Sequence, residues 1–399
     1  MKLIYIANIR VPTEKAHGLQ IFHMLEAFGA HARADVQLWA ARRVNTPELR
    51  SVTDPFAHYG VDRTFRLRLL PTLDLLWLVP GRADLLAKAV FTLQWVTFTL
   101  AALIALVGER ADVIYTRDAL IVLAASLVTP RRALAYEPHT VPEGRIGRAL
   151  QRAAVRRAGA IIPVTRRLAD DLLPLGADPA RLYVAHDGIR AARFADLPTR
   201  EMARAQLGWP DAVFIVGYVG RLHTMNMDKG VSTLLEAVLH AEGTALALVG
   251  GPAEGADALR RTWIERGGDP AHFFNAGQVA PAAVPLYLRA FDACAMVLPF
   301  TPHFAYYASP LKLFEYMAAG GAIVASDFPS FREVLKDGVS ALLVPPSDVP
   351  VLAAAIRRLR DDPALRARIG TAAQAEAMAH YTWHARAAAI LAHIERQRG

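Results

Sequence analysis

Short runs of apolar residues alternate along this chain with longer stretches in which apolar positions recur every three or four residues. The short runs predict buried strands, and the longer stretches predict amphipathic helices. Regular alternation of the two is typical of βα units and a parallel sheet. The predicted strands cover residues 2–7, 34–40, 111–116, 132–137, 159–164 and 181–185 in the first half and 213–219, 244–250, 272–275, 292–298, 322–326 and 340–344 in the second.

The two sets of strands predict an α/β fold with two Rossmann-like domains, each binding ligands at the carboxyl ends of its strands. Residues 187–210 lie between the sets, have an irregular pattern and begin with the turn signal Asp187–Gly188. A length of 399 residues also suits two domains better than one core. We therefore expect one domain over 1–187, a second over 188–380 and a final helix over 381–399, with the two domains facing each other across a cleft.

One stretch is long enough to cross a membrane. Residues 89–108 have no charged side chain over 20 positions. Gln94 and three threonines make the stretch less apolar, and a predicted strand follows it directly. We therefore predict a buried helix packed on a sheet.

The composition is that of a globular protein, with 53% hydrophobic and 21% charged residues. The single cysteine, Cys294, lies in an apolar run and is predicted to be a buried strand residue. One cysteine excludes a disulfide framework within the chain, which favours a reducing, cytoplasmic location. The first apolar run is interrupted by Asn8 and Arg10, unlike a signal peptide.

The formal net charge of +8 at pH 7 raises the question of a nucleic-acid partner. Lysines are few and arginines are spread thinly, so no nucleic-acid partner is predicted. An excess of positive charge also suits anionic substrates and anionic membranes. Two segments leave open a peripheral contact with the inner face of a membrane. They are residues 63–77, which mix arginine with apolar residues, and a helix face with Arg145, Arg148, Arg152 and Arg156.

Residues 309–321 have the pattern of a helix that can receive an anion at its N-terminus. Ser309 is predicted to be the N-cap, and Pro310 suits the first helical position. Gly320 and Gly321 are predicted to end the helix.

The faces of that helix differ in chemistry. Leu311, Phe314 and Ala318 share one face, which is the predicted core face, and Lys312 and Glu315 share another. A lysine beside a helix N-terminus favours a phosphate, and a carboxylate one turn later can accept sugar hydroxyls. The combination indicates a nucleotide-sugar diphosphate. A plainer alternative is a surface ion pair between the two side chains, worth a few tenths of a kcal/mol.

A second segment has a phosphate-binding layout. The predicted strand at 213–219 leads into a glycine turn with Arg221, and a loop then brings Lys229 to the start of the next helix. A strand, a glycine turn and basic residues before a helix suit a phosphate group. The alternative is a basic pair on the surface of a βα loop.

The block 309–334 resembles the donor-binding signature of the retaining glycosyltransferases of family four, which have the GT-B fold of two Rossmann-like domains. Residues 7–20, 135–140 and 217–230 also resemble that family, so the resemblance covers nearly the whole chain. It implies a retaining transfer of a sugar from a nucleotide-diphosphate-sugar donor to an acceptor hydroxyl. It also implies a C-terminal helix that crosses back onto the N-terminal domain.

The resemblance also implies roles for individual residues. Arg221 and Lys229 would hold the diphosphate, Glu315 would hold the ribose, and His139 would lie beside the donor sugar. Gly18 would let the backbone of the first βα loop approach the ligand closely. The implied catalytic residues are His139, Arg221 and Lys229, and the implied donor-binding residues are Gly18, Arg221, Lys229, Val279, Ser309, Leu311, Lys312 and Glu315. In the family, backbone groups around 277–279 bind the base, so the sequence does not reveal which base is bound.

The chain departs from the family at one position. The Glu-x7-Glu pattern that ends at Glu315 would place its first glutamate at 307, where this chain has Tyr307. In the family that glutamate touches the donor sugar. Tyr307 therefore leaves open an inactive scaffold in polysaccharide assembly. The fold alone also leaves open a sugar-nucleotide epimerase, although Tyr307 stands where its acid/base carboxylate would be needed.

The sequence contains no Asp-x-Asp and no His/Cys cluster with metal-ligand spacing. We therefore expect a metal-independent transfer in which the nucleotide sugar is a substrate and no cofactor is used. Arg221, Lys229 and a helix N-terminus would then neutralise the departing diphosphate. The acceptor and the oligomeric state are not predicted.

Overall fold

The computed structural model describes residues 1–31, 35–79, 81–82, 84–224 and 227–398. Position 34, where the second strand is predicted to begin, lies outside these residues. The chain forms two compact units, which are named unit 1 and unit 2. Unit 1 comprises Met1–His186 and Trp383–Gly399, and unit 2 comprises Asp187–Thr382.

Unit 1 is built on a six-stranded parallel sheet in the order β3-β2-β1-β4-β5-β6, which is the strand order of dinucleotide-binding folds. Its strands are β1 (Lys2–Ala7), β2 (Asp35–Ala41), β3 (Arg66–Leu70), β4 (Val113–Thr116), β5 (Leu134–Tyr136) and β6 (Ala160–Ile161). Its helices are α1 (Ala16–Ala30), α2 (Pro55–Tyr59), α3 (Leu85–Leu106), α4 (Ala119–Ala125), α5 (Arg145–Arg157), α6 (Arg166–Leu172) and, from the end of the chain, α15 (Trp383–Arg398).

Helices cover both faces of this sheet, as continuous apolar strands require. Alternate residues of β1 point to opposite faces. Ile4 and Ile6 pack in the cluster formed with α3 and α4. Tyr5 stacks on Tyr115, which Phe28 of α1 meets edge-on. On the face of Ile4 and Ile6, α3 contacts α4 and α4 contacts α5. On the face of Tyr5, α1 contacts α15.

Unit 2 repeats the architecture with a six-stranded parallel sheet in the order β11-β10-β7-β12-β13-β14 and a separate two-stranded hairpin. The strands are β7 (Phe214–Val219), β8 (His223–Thr224), β9 (Met227–Asp228), β10 (Thr244–Val249), β11 (Phe273–Gly277), β12 (Ala293–Met296), β13 (Ala322–Ser326) and β14 (Leu342–Val344). The helices are α7 (Arg200–Leu207), α8 (Val231–Leu239), α9 (Ala253–Glu265), α10 (Val284–Ala290), α11 (Leu311–Ala319), α12 (Pro329–Arg332), α13 (Val349–Asp361) and α14 (Pro363–His380). The predicted α/β class with two Rossmann-like domains is therefore confirmed.

Two strand predictions were wrong. Residues 181–185 form only an isolated bridge, between Leu182 and Ile161. The edge strand β3 was not predicted, because its sequence Arg-Leu-Arg-Leu-Leu has the charged side chains that edge strands use to avoid pairing with other chains.

The prediction of a buried helix over 89–108 was half wrong. One side of α3 packs on the sheet through Phe98, Ala102 and Leu106, but the other side is exposed. Within the described residues, α3 is the helix whose length and hydropathy would allow it to cross a membrane. Only 28% of its most apolar window is buried. The helix is apolar on all sides, so its periodicity could not distinguish its packed side from its free side.

Candidate functional site

Glycines fix the loops at the carboxyl end of the unit 2 sheet. Gly220 follows β7 with φ 131°, and Gly250 follows β10 with φ 142°. A Cβ on Gly250 would lie 2.0 Å from the carbonyl oxygen of Gly220. The two loops therefore touch in a way that side chains would prevent, and Arg221 stands next to this contact with an exposed side chain.

Lys229 is positioned by the turn that opens α8. Its amide donates to the carbonyl of Leu222 at 3.0 Å, which closes the loop between the two residues. Gly230 follows with φ 80°, and a Cβ there would lie 1.6 Å from the carbonyl oxygen of Val297. The turn thus packs against the end of β12. The Lys229 ammonium lies over the ring of Phe304, 5.0 Å from its centre.

The start of α11 differs from the prediction for Ser309. The helix begins at Leu311 with Pro310 as its N-cap, and no side chain caps it. The Ser309 hydroxyl instead accepts a hydrogen bond from the amide of Asp187 at 2.8 Å. Tertiary contact therefore takes the oxygen that a local cap would use. The C-terminal prediction is confirmed, because Gly320 ends α11 in the left-handed conformation with φ 74°.

Lys312 lies at the junction of α11 and β7. Its ammonium donates to the Tyr218 hydroxyl at 2.9 Å and sits 4.2 Å from the centre of that ring. The Tyr218 hydroxyl in turn donates to the carbonyl of Arg221 at 2.7 Å. Tyr316, one turn later on α11, accepts a hydrogen bond from the amide of Val219 at 2.8 Å. These bonds hold the first turn of α11 against the loop that presents Arg221.

Three cations come within electrostatic reach of one another here. Burial, and then the charge of Lys229, lower the pKa of Lys312 to about 7, while Glu315 opposes the shift. Burial, and then Arg221, also lower the pKa of Lys229. Burial and Lys229 lower the pKa of His303 as well. This end of unit 2 therefore has a surplus of positive charge that a bound anion would neutralise.

Glu315 is not the ion-pair partner of Lys312. The ion pair that the described residues form joins Glu315 to Arg193, at 3.6 Å. Burial raises the pKa of Glu315, while Arg193 and Lys312 oppose that shift. The plainer alternative, a surface pair between positions 312 and 315, is therefore not the arrangement found.

The remaining predicted residues of unit 2 have mixed positions. Phe314 and Ala318 are buried as predicted, but Leu311 is only half-buried, so the predicted core face was partly wrong. Val279 is half-buried after Gly277, whose φ is 63°. Tyr307 ends a π-helical turn, His303–Tyr307, directly before the segment that leads into α11.

In unit 1, His139 belongs to a buried hydrogen-bond network. The chain leaves β5 through Glu137, whose side chain is 1% exposed. One Glu137 oxygen lies 2.8 Å from Nε2 of His139. The other accepts from the Tyr115 hydroxyl and lies 3.1 Å from the Arg386 guanidinium of α15.

The charges of this network fix the tautomer of His139. Burial alone would raise the pKa of Glu137, but Arg386 and the His139 hydrogen bond hold it well below its ordinary range. Burial, followed by Arg117, lowers the pKa of His139 to about 4. His139 is therefore neutral at pH 7. Because the ionised Glu137 can only accept, Nε2 carries the proton and Nδ1 is left as an acceptor.

His139 lines a cavity of about 460 Å³ at the carboxyl ends of β1, β4 and β5. The lining is mainly apolar, with aromatic rings from Phe91 and Trp95 of α3 and from Tyr136. His17 lies in the same wall, and burial lowers its pKa to about 4. A ligand with an apolar body and a few hydroxyl groups suits such a lining.

Gly18 packs closely against the protein's own residues. A Cβ on Gly18 would lie 2.5 Å from Thr13 Cγ2 and 2.5 Å from the Tyr59 hydroxyl. Tyr59 in turn accepts from the Thr13 amide at 2.7 Å. This packing requires glycine at position 18, and the ligand role of Gly18 stays a prediction.

The predicted site residues do not include four side chains that hold them in place, which are Glu137, Arg386, Tyr218 and Arg193. Glu137 stands in the quoted segment 135–140 directly after a predicted strand, which was a usable signal. No local sequence signal pointed to Arg386, because it reaches Glu137 from the far end of the chain. Among the described residues, no group of three His, Cys, Asp or Glu side chains could hold a metal ion.

Comparison with known proteins finds a family similarity within unit 2. Residues 213–362 match the family described as Glycosyl transferases group 1. A phosphatidyl-myo-inositol mannosyltransferase of Mycolicibacterium smegmatis is 34% identical over 224 residues, 54% of this chain and 52% of that protein. A D-inositol 3-phosphate glycosyltransferase of Kineococcus radiotolerans is 32% identical over 281 residues, 65% of this chain and 61% of that protein. The chain spans about half the length of the curated relatives it matches.

Solved structures share the fold. Sucrose-phosphate synthase of Thermosynechococcus elongatus has a TM-score of 0.75 and 20% identity, covering 99% of this chain and 98% of that one. The Anabaena protein HepE in complex with UDP has a TM-score of 0.71 and 18% identity, covering 99% and 100%. At these identities the likeness concerns the fold, and it confirms the GT-B class.

Proposed function

We propose that the protein is a retaining glycosyltransferase of group 1 that uses a nucleotide-diphosphate sugar. Unit 2 would bind the donor and unit 1 the acceptor. The observation that supports this most directly is the group of Arg221, Lys229 and Lys312. Burial, and then a neighbouring cation, lower the pKa of Lys229 and of Lys312, and an anion bound among the three side chains would offset both effects.

The anion would be the donor diphosphate. Its charge would be met by Arg221 and Lys229 from the β7–α8 connection and by Lys312 from the first turn of α11. Glu315, one turn further along α11, would accept ribose hydroxyls, with Arg193 holding its carboxylate in place. HepE, which shares the fold, is described in complex with UDP and with UDP-glucose, so uridine donors are the first to test.

In the proposed reaction the bond between the sugar anomeric carbon and the diphosphate oxygen breaks. The acceptor hydroxyl forms the new bond on the same face, and its proton passes to the departing phosphate oxygen. The products are a glycoside and a nucleoside diphosphate. Negative charge grows on the diphosphate as the bond breaks, so fixed cations stabilise the transition state more than the bound donor.

His139 would position a substrate. Its Nδ1 can accept a hydrogen bond from a sugar hydroxyl at the wall of the 460 Å³ cavity, while Glu137 holds the ring from the other side. The low pKa of His139, about 4, keeps it neutral, so it would act as an acceptor and not as an acid at pH 7.

A thermal-shift titration with UDP, GDP and ADP tests the donor site. A ligand that binds only the folded state raises Tm with concentration. We expect one nucleotide to raise the Tm of wild type and to have a much smaller effect on Lys229→Ala. Lys336→Ala is the matched control, because Lys336 is an exposed lysine of the same unit. If no nucleotide or nucleotide sugar shifts wild type, the proposal fails and the inactive scaffold, suggested by Tyr307, replaces it.

The donor affinity should depend on pH through Lys312. The pKa of Lys312 is about 7 in the free protein, and a bound diphosphate favours the protonated amine and raises it. The donor affinity should thus be highest below pH 7. Above pH 7 it should fall by up to about tenfold per pH unit, until the pKa of Lys312 in the bound state is reached. Calorimetric titration of wild type in buffers of different ionisation enthalpy should show proton uptake at about pH 8. Lys312→Met should bind more weakly and without this dependence; an equal dependence in that variant would disprove the assignment.

A further inference from the structure

The free side of α3 is a continuous apolar stripe. Its exposed residues recur every three, four or seven positions and so lie on one side of the helix. They are Leu86, Leu93, Val96, Leu100, Ile104 and Val107, each at least 40% exposed, with Ile104 at 73%. At 1.5 Å per residue the stripe is about 30 Å long. Exposed apolar surface of this extent on a folded unit generally marks an interaction site.

The other side of α3 is fixed in unit 1. Gln94 is fully buried and donates to Asn8 Oδ1 at 2.8 Å and to Thr72 Oγ1 at 3.2 Å. Phe98 and Ala102 pack against the sheet. A helix tied down in this way offers its stripe as a surface and does not need to leave the fold.

The helices beside the stripe are basic. The helices α3, α4 and α5, which pack side by side, contain no aspartate or glutamate. Their basic residues are Lys88, Arg145, Arg148, Arg152, Arg156 and Arg157, all exposed. Two segments were considered for membrane contact. In the first, Arg63 pairs with Asp54 and Arg66 with Asp35, so the cationic element is the second, α5.

We propose that the α3 stripe and the α5 arginines form a surface that docks the protein onto an anionic lipid bilayer, with α3 lying in the plane of the interface. The stripe would insert among the acyl chains while the arginines contact the headgroups. Trp77, which is 57% exposed in the 3₁₀ turn that contacts α3, adds an aromatic side chain of the type found at membrane interfaces.

A bilayer suits this surface better than a second copy of the chain. A symmetric self-contact through α3 would gather the basic, acid-free helices of two copies around one interface, where like charges repel. Anionic headgroups would instead neutralise the arginines. A membrane also accommodates a stripe of simple aliphatic side chains without the shape complementarity that a protein partner needs.

Docking would also define the acceptor class, a step that rests on the proposed function. Phe91 and Trp95 belong to α3 and also line the cavity that contains His139. Phe91 is 48% exposed, so the apolar lining continues onto the outer surface of the helix. A bilayer at α3 would deliver an acceptor whose lipid part remains in the membrane while its hydroxyl groups enter the cavity.

Vesicle flotation tests the docking without relying on activity. The full chain is mixed with vesicles of phosphatidylcholine alone or with added phosphatidylglycerol. Wild type should float with the anionic vesicles, and added salt should weaken this. Ile104→Glu should reduce binding about tenfold or more. Ile264→Glu is the matched control, since Ile264 is an exposed isoleucine on α9 of unit 2, and it should float like wild type.

The charged element is tested by removing arginines. Each of Arg145→Ala and Arg152→Ala should weaken binding to anionic vesicles roughly fivefold, while Arg261→Ala on α9 should not. Failure of wild type to float, or equal flotation of Ile104→Glu, overturns the proposal. A wild-type dimer that Ile104→Glu dissociates, without vesicle binding, would assign the stripe to self-association instead. The nucleotide thermal shift, measured on the same variants, reports folding and separates a failed docking surface from a failed donor site.

Discussion

Replacing Lys229 with methionine is expected to lower kcat about 100- to 1,000-fold, the loss typical of removing one fixed group that stabilises developing charge. Methionine keeps most of the length and an apolar side chain beside the Phe304 ring, which the ammonium approaches to 5.0 Å. It also removes a partly buried charge whose pKa is already lowered by burial and by Arg221, so the fold should not suffer. The change should therefore act on the transition state.

The measurement is steady-state and single-turnover kinetics with the donor identified by thermal shift. Lys336→Met, at an exposed lysine of unit 2, should retain wild-type kcat. A rise in KM with kcat unchanged would mean that Lys229 binds donor and transition state equally, which contradicts the proposed role.

Replacing Glu137 with glutamine is expected to lower the free energy of unfolding by about 3–5 kcal/mol, the cost of leaving one member of a buried ion pair alone. Both side chains are nearly inaccessible, at 1% exposed for Glu137 and 3% for Arg386. The guanidinium would retain the carbonyls of Ala185 and His186 and the sulfur of Met24. None of these supplies a negative charge.

Urea unfolding at neutral pH measures this loss. Glu395→Gln, on the exposed side of the helix that bears Arg386, is the control and should cost little. In Glu137→Gln/Arg386→Met neither charge remains, so the two losses should not add. Because the folded pKa of Glu137 lies below its ordinary value of 4.5, the pair stabilises the fold above that pH and its contribution falls as the pH drops further. A decrease in the free energy of unfolding below about 1 kcal/mol would contradict the description of Glu137 and Arg386 as a buried ion pair in which each charge neutralises the other.

The sequence predicted the fold class because short apolar strands and amphipathic helices alternate with little ambiguity. The approach of Arg221 and Lys229 to each other was also foreseeable, since both follow the same strand and parallel strands end at one edge. Lys312 was predicted from its place beside a helix start, and it does stand next to them.

Residues whose partners lie far away in the chain were predicted poorly. Ser309 looked like a cap, but the amide of Asp187, 122 positions earlier, takes its hydroxyl. Nothing local to Gly18 indicated that Tyr59 packs against it. Glu137 is held ionised by Arg386, which no local pattern could connect to it. In each case long-range packing decides between uses that local chemistry allows equally.

The helix α15 has a consequence for the order in which the protein can mature during translation. Unit 2 begins and ends at one point, where the amide of Ile189 donates to the carbonyl of Tyr381 at 2.8 Å, so it can close on itself as soon as it has been synthesised. Unit 1 cannot, because Arg386 is translated after the whole of unit 2. Until then Glu137 lacks its ion pair with Arg386. The half of the protein that is made first is therefore completed last, and a ribosome that stalls before α15 would release a finished unit 2 attached to an unfinished unit 1.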